Sequence, residues 1–253
     1  MGLMSFLAPN LKILLEHVPT LLFDVVPWPT LLRDGTQLSK RLLSGDGAQE
    51  ARRKLAPHLP SRIALCERQA LAPIRDGQLA GDLLLELYFR QVLSAGPFFL
   101  DLRATNLGQQ DEKLLFSPGN LWGEFSAEFA RGLRELYCGF YQQNDPRFFL
   151  GLELTGLIRP DWSEEDRAHM AELFRRHFGD ALEGPMRFEL QSFQASFQKI
   201  FEFLMHKKVH LTTDFLMLGV ALVTLYLTLE DWGHEHAVSQ IFHRYQLDAA
   251  KSD

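Results

Sequence analysis

Basic charge is scarce in this chain: 26 lysines and arginines stand against 32 acids, for a net charge of −6, and the densest basic run is only Arg52-Arg53-Lys54. A nucleic-acid surface needs a basic stripe, commonly interleaved with aromatics, so nucleic acid is excluded as a partner. Cysteine is scarcer still. Cys66 and Cys138 lie far apart with no C-x-x-C, which rules out a disulfide framework and reads as core thiols in a reducing, cytoplasmic compartment. The first residues, Met1 to Pro9, place no charge ahead of their apolar stretch, which argues against a secretory signal. The longest apolar run, 215–229, falls short of the roughly 18–20 residues that span a bilayer, and Thr224 and Thr228 polarise it further. It is expected as a core helix. Repeats, low-complexity tracts and the nucleophile motif G-x-S-x-G are also missing.

What the chain does have is apolar bulk. A hydrophobic share of 46% and 20 phenylalanines are enough for one sizeable core. Pro9, Pro19, Pro27, Pro29, Pro57 and Pro60 cut residues 1–60 into short irregular pieces, with one helical stretch at 11–18. From 61 to 247 the periodicity changes to long helices, expected at 78–95, 126–142, 146–155, 163–178, 188–207, 212–232 and 237–247, followed by a tail at 248–253. Ser163 before Glu164-Glu165-Asp166 is a capped helix start, and Gly179 after Phe178 is a stop. Phe188, Phe193, Phe197, Ile200, Phe201 and Leu204 form one apolar face, so this aromatic stripe reads as core. Strands are expected only at 62–65, 98–100 and 114–116. The pattern by itself predicts a mainly α fold.

One segment carries the spacing of a chemical motif. In Phe98-Phe99-Leu100-Asp101-Leu102-Arg103-Ala104-Thr105-Asn106-Leu107 an Asp and an Asn stand five apart after an apolar run. A kinase catalytic loop, H-R-D-x-x-x-x-N, uses this offset so that the Asp takes the proton of the attacking hydroxyl while the Asn holds Mg²⁺. From Gly96 onward the segment resembles G-F-F-H-A-D-P-H-P-G-N-L, the signature of the UbiB/AarF family of atypical protein-kinase-like proteins. Arg62-Ile63-Ala64-Leu65-Cys66-Glu67 looks like that family's hinge strand, which makes Glu67 the hinge-like cofactor-contacting position. Lys113-Leu114-Leu115-Phe116-Ser117-Pro118-Gly119 sits where the family has a strand ending in Asp-Phe-Gly. The resemblance implies a kinase-like C-lobe-type helical domain with a small residual β-sheet, covering roughly residues 60–245.

Departures from the pattern remove the chemistry. Both family histidines are replaced, by Phe99 and Arg103, and the metal-binding Asp appears as Ser117, or as Pro118 in the alternative register. Neither can supply the carboxylate that bridges Mg²⁺ and phosphate. Ahead of the hinge-like strand there is no glycine-rich loop and no V-A-I-K-like strand, and only Lys12, Lys40 and Lys54 are on offer as the strand lysine. The expectation is a non-catalytic pseudokinase-like accessory protein with a vestigial loop (Asp101, Asn106), a degenerate metal motif (Ser117, Pro118, Gly119) and no cofactor. A protein partner is expected. The resemblance further implies a peripheral place at a membrane surface and a link to isoprenoid-quinone or other lipid metabolism.

Histidine clustering is the rival signal. His206, His210, His234 and His236, with Glu230, Asp231 and Glu235 nearby, suggest a helical metalloprotein enzyme, although no H-E-x-x-H occurs and His234 and His236 would point apart on a helix. A third alternative is a residual nucleotide-binding ATPase.

Overall fold

The computed structural model describes residues 45–94, 96–179 and 181–249, and within them the chain is mainly α. Its helices are α1 (Gly45–Leu55), α2 (Gly77–Leu93), α3 (Ala127–Tyr141), α4 (Asp145–Leu154), α5 (Glu164–Phe178), α6 (Leu190–His206), α7 (Thr213–Trp232) and α8 (Val238–Ala249). Each of the seven helices expected after residue 60 is present, with ends displaced by no more than two residues. The helix expected at 11–18, and the whole of 1–44, lie outside the described residues.

Local capping sets these ends. Asp76, Ser126, Asn144 and Ser163 each accept a backbone N–H of the first turn of α2, α3, α4 and α5, supplying a partner that the helix itself cannot. In α5 three acids occupy the first turn and Arg175 and Arg176 the last, an arrangement that opposes the helix dipole at both ends. Gly233, with φ of 70°, closes α7 in the left-handed region that glycine enters without strain.

Seven short strands accompany the helices: β1 (Ile63–Leu65), β2 (Pro97–Phe99), β3 (Leu107–Gln110), β4 (Lys113–Phe116), β5 (Trp122–Glu124), β6 (Met186–Arg187) and β7 (Glu235–His236). β1 runs parallel to β4, and β3 and β4 form an antiparallel hairpin turned at Asp111. β2 pairs with β5 and β6 with β7, both antiparallel. Three of these strands match expectation. β3, β5, β6 and β7 do not, because sequences such as Leu-Gly-Gln-Gln and Trp-Gly-Glu carry too few β-branched residues to signal a strand. Tertiary contacts make them strands: Gln109 Oε1 accepts the Arg75 and Asp76 N–H groups, and the Gly108 backbone lies so close to Ala72 that a Cβ would meet its oxygen at 2.6 Å.

The boundaries at 60 and 247 also shift. α1 falls inside the stretch expected to be irregular, and its Ala51 and Leu55 belong to the main core. It was illegible because only Ala48, Ala51 and Leu55 of its eleven residues are core hydrophobics, and its glycines read as turn signals. α8 continues to Ala249, two residues into the expected tail.

A main core of aliphatic and aromatic side chains joins the helices, with a smaller cluster around Phe98, Leu100 and Met217, and the expected stripe from Phe188 to Leu204 is buried within the main core. α7 is long and apolar enough to cross a membrane by length and composition, but 61% of its apolar window is packed inside the fold. It is a core helix, buried on most sides. Of the two thiols only Cys138 is buried; Cys66 is half-exposed, and burial together with Glu67 raises its pKa while Arg52 opposes the rise.

Candidate functional site

The Asp101–Asn106 loop connects β2 to β3, and long-range bonds hold its backbone at both ends. Leu100 N–H donates to Leu121 O at 3.0 Å. From α7, Thr224 Oγ1 accepts the Leu102 N–H at 3.1 Å and donates to Leu100 O at 2.8 Å, while Thr228 Oγ1 donates to Leu102 O at 3.0 Å. The two threonines are four residues apart, so both lie on one face of the helix and reach adjacent parts of the loop. They are the polar positions of the long apolar run, and they pin the loop.

Within the loop the chemistry is turned inward. Both Asp101 oxygens are taken by Arg103, with Nε to Oδ1 and Nη2 to Oδ2 each at 2.7 Å, and the Arg103 N–H adds a third, longer bond of 3.3 Å. A bidentate guanidinium–carboxylate pair is among the strongest charge-assisted bonds available to side chains. It also raises the Arg103 pKa, through the hydrogen bond to Asp101. With the pair mostly buried, little of the carboxylate stays open to take a proton from a substrate hydroxyl.

Asn106 is buried, and its side-chain N–H donates to the Asp101 backbone carbonyl at 3.1 Å, closing the loop on itself. Asn106 O in turn accepts the Ser117 N–H at 2.9 Å. The loop and the Ser117-Pro118-Gly119 segment, separated in the chain by the β3–β4 hairpin, thus lie side by side. Ser117 is buried and offers a hydroxyl where a carboxylate would be needed to hold a metal.

The hinge-like strand joins the same assembly. Cys66 N–H donates to Phe116 O at 3.0 Å, so Glu67 emerges next to the end of β4. Glu67 is mostly exposed and accepts Arg52 Nη1 at 3.0 Å; Arg52 Nη2 donates to Pro118 O at 2.5 Å. One guanidinium from α1 therefore ties Glu67 to the Ser117-Pro118-Gly119 segment. α1 is seated there by packing as well, since Gly47 lies against the Trp122 ring and Lys54 pairs with Glu124.

The candidate histidines do not converge. His206 ends α6, and His210 follows it in the connection to α7. His234 lies against Gly77, where a Cβ would come within 2.8 Å of its Nε2, and His236 is fully buried with Nδ1 2.8 Å from Asp82 Oδ1. Among the described residues no three His, Cys, Asp or Glu side chains form a metal-holding group. Trp122 and Gly123 pair with Phe99 and Phe98 as part of β5.

Sequence reasoning brought together Asp101, Asn106, Ser117 and Glu67 and missed Arg52, Arg103, Thr224 and Thr228 as the groups that bind them. A signal existed for two of these, because threonines at i and i+4 in an apolar helix mark a shared polar face. Arg52 had none. The chain matches no protein-family model and no curated protein sequence.

Proposed function

We propose that this chain is a non-catalytic, pseudokinase-like accessory protein that works by binding a partner. The observation that carries the reading is the self-pairing of the loop: Arg103 occupies both Asp101 oxygens while Asn106 is spent on the Asp101 carbonyl. Phosphoryl transfer leaves the protein little to do beyond positioning and charge stabilisation, and it needs an open base and an oxygen-ligated Mg²⁺. Here neither the base nor a metal carboxylate is free at the loop. Contact of the loop with Ser117, across a hairpin of the right span, supports kinase-like descent. Arg52, reaching Glu67 and Pro118 from α1, supports a cleft given over to intramolecular contacts. In this reading the membrane periphery and lipid metabolism that the resemblance implies are the setting of the partner.

MgATP binding decides between this function and a residual ATPase. A ligand at 100 times its Kd adds about 2.7 kcal/mol to stability. Millimolar ATP with Mg²⁺ is expected to leave the melting temperature of the full chain unchanged within about 1 °C. A reproducible, Mg²⁺-dependent rise at micromolar ATP sinks the proposal and promotes the ATPase.

A further inference from the structure

The connection from α7 to α8 lies against the start of α2, on a face where that helix carries glycine at 77 and 81. Residues four apart share one helix face. His234 sits against Gly77, and the His236 ring lies so close to Gly81 that a Cβ there would meet its Cε1 at 2.2 Å and its Nε2 at 2.6 Å. His236 is completely buried. It pairs with Met186 in the β6–β7 ladder and places Nδ1 2.8 Å from Asp82 Oδ1, while Gln78 Nε2 donates to Glu235 O at 2.9 Å beside it.

A carboxylate only accepts, so Nδ1 carries the proton of the neutral ring and Nε2 is left with a bare lone pair. That atom is buried and has no partner among the described residues. A buried acceptor without a donor costs free energy that water would return on exposure, so the closed connection holds one bond to Asp82 against one unsatisfied nitrogen. The balance favours a segment able to open by itself.

α8 hangs on this connection, starting at Val238, two residues beyond His236. Its Val238, Ile241 and Phe242 enter the main core, Phe242 stacks on Tyr141 with ring centroids 4.4 Å apart, and Gln246 Nε2 donates to Cys138 Sγ at 3.0 Å. No described element follows α8, so its departure displaces none of the others. We propose that His236 and Asp82 form a clasp, and that α8 lifts off as a unit when the clasp opens, uncovering Cys138. Sub-global openings of this kind occur at the least stable elements of a fold, without global unfolding. Cys138 reports on it. In the docked state the thiol is 6% exposed and burial raises its pKa, so it reacts slowly until Gln246 withdraws.

Thiol labelling of the full chain tests the clasp, with Cys66→Ser as background so that Cys138 is the one reactive sulfur. Asp82→Ala removes a hydrogen bond to a charged acceptor and is expected to speed Cys138 labelling by Ellman's reagent about tenfold or more. The urea slope of that labelling is expected to fall well below the slope of global unfolding, because opening α8 exposes only part of the buried surface. An unchanged rate overturns the proposal. So does a slope equal to the global one, which the Cys66→Ser protein reports without any change at the clasp. ¹⁵N NMR of the wild-type imidazoles locates the proton independently: His236 is expected to show a protonated Nδ1 and a bare Nε2, and a proton on Nε2 overturns the clasp.

Discussion

At Asp101 one neighbouring residue decides the character of the loop. An arginine two positions on, where the resembling family has histidine, reaches back over the turn and holds the carboxylate with two 2.7 Å bonds. Losing such a pair leaves a part-buried guanidinium without its counter-ion. Asp101→Asn is expected to cost about 1.5–3 kcal/mol, read as a lower urea midpoint with unchanged slope. If instead the midpoint stays put while a cellular phenotype disappears, Asp101 has a ligand-facing role.

His177 yields a second prediction at the same scale. Burial depresses its folded-state pKa to about 3, while the unfolded chain titrates near 6.5. The unfolded state thus binds the proton first. The stability that neutral His177 contributes is complete above about pH 6.5 and is lost as pH falls from there toward 3, at up to about 1.4 kcal/mol per pH unit. Between pH 6 and pH 4 the unfolding free energy of His177→Gln is expected to vary less steeply than that of the wild type; parallel slopes rule out His177 as the source.

Among the elements, the α3–α4 pair depends most visibly on missing side chains. A Cβ on Gly139 would sit 2.3 Å from Phe148 N, and one on Gly151 2.3 Å from Leu136 N, so each helix presses a glycine against the other's backbone. Backbone cannot swing aside as a flexible side chain would. Gly139→Ala is expected to lose about 3 kcal/mol. Gly219, inside α7 with nothing within 4 Å of its Cβ position, is the control. There alanine removes only unfolded-chain freedom, and Gly219→Ala is expected to gain about 0.5–1 kcal/mol. Thermal unfolding of the two variants should move in opposite directions.

On the scale of the whole molecule, the main core of the described residues draws on helices from α1, with Ala51 and Leu55, to α8, with Ile241 and Phe242. Deleting residues 1–32 tests the proposed binding role: it is expected to leave the unfolding transition intact while releasing the protein from membranes or a co-purifying partner, as read by vesicle flotation and size exclusion. Global unfolding of the truncated chain would instead assign that segment to the core. The sequence by itself determined the seven later helices, the Ser163 cap and the mainly α class, because capping side chains and apolar periodicity act within a turn or two of the residues that carry them. That Ser117 carries a hydroxyl and no carboxylate is likewise a matter of residue identity alone. Four other features were decided only by the tertiary structure: α1 as a helix, the strands β3 and β5, the α7 threonines on Leu100 and Leu102, and Arg52 on Pro118. Thr224 meets Leu102 across 122 positions of chain, and four tyrosines scattered over three helices meet at one cavity. No local propensity encodes such partners, since what selects them is the burial of polar groups that must find one another once the core has formed.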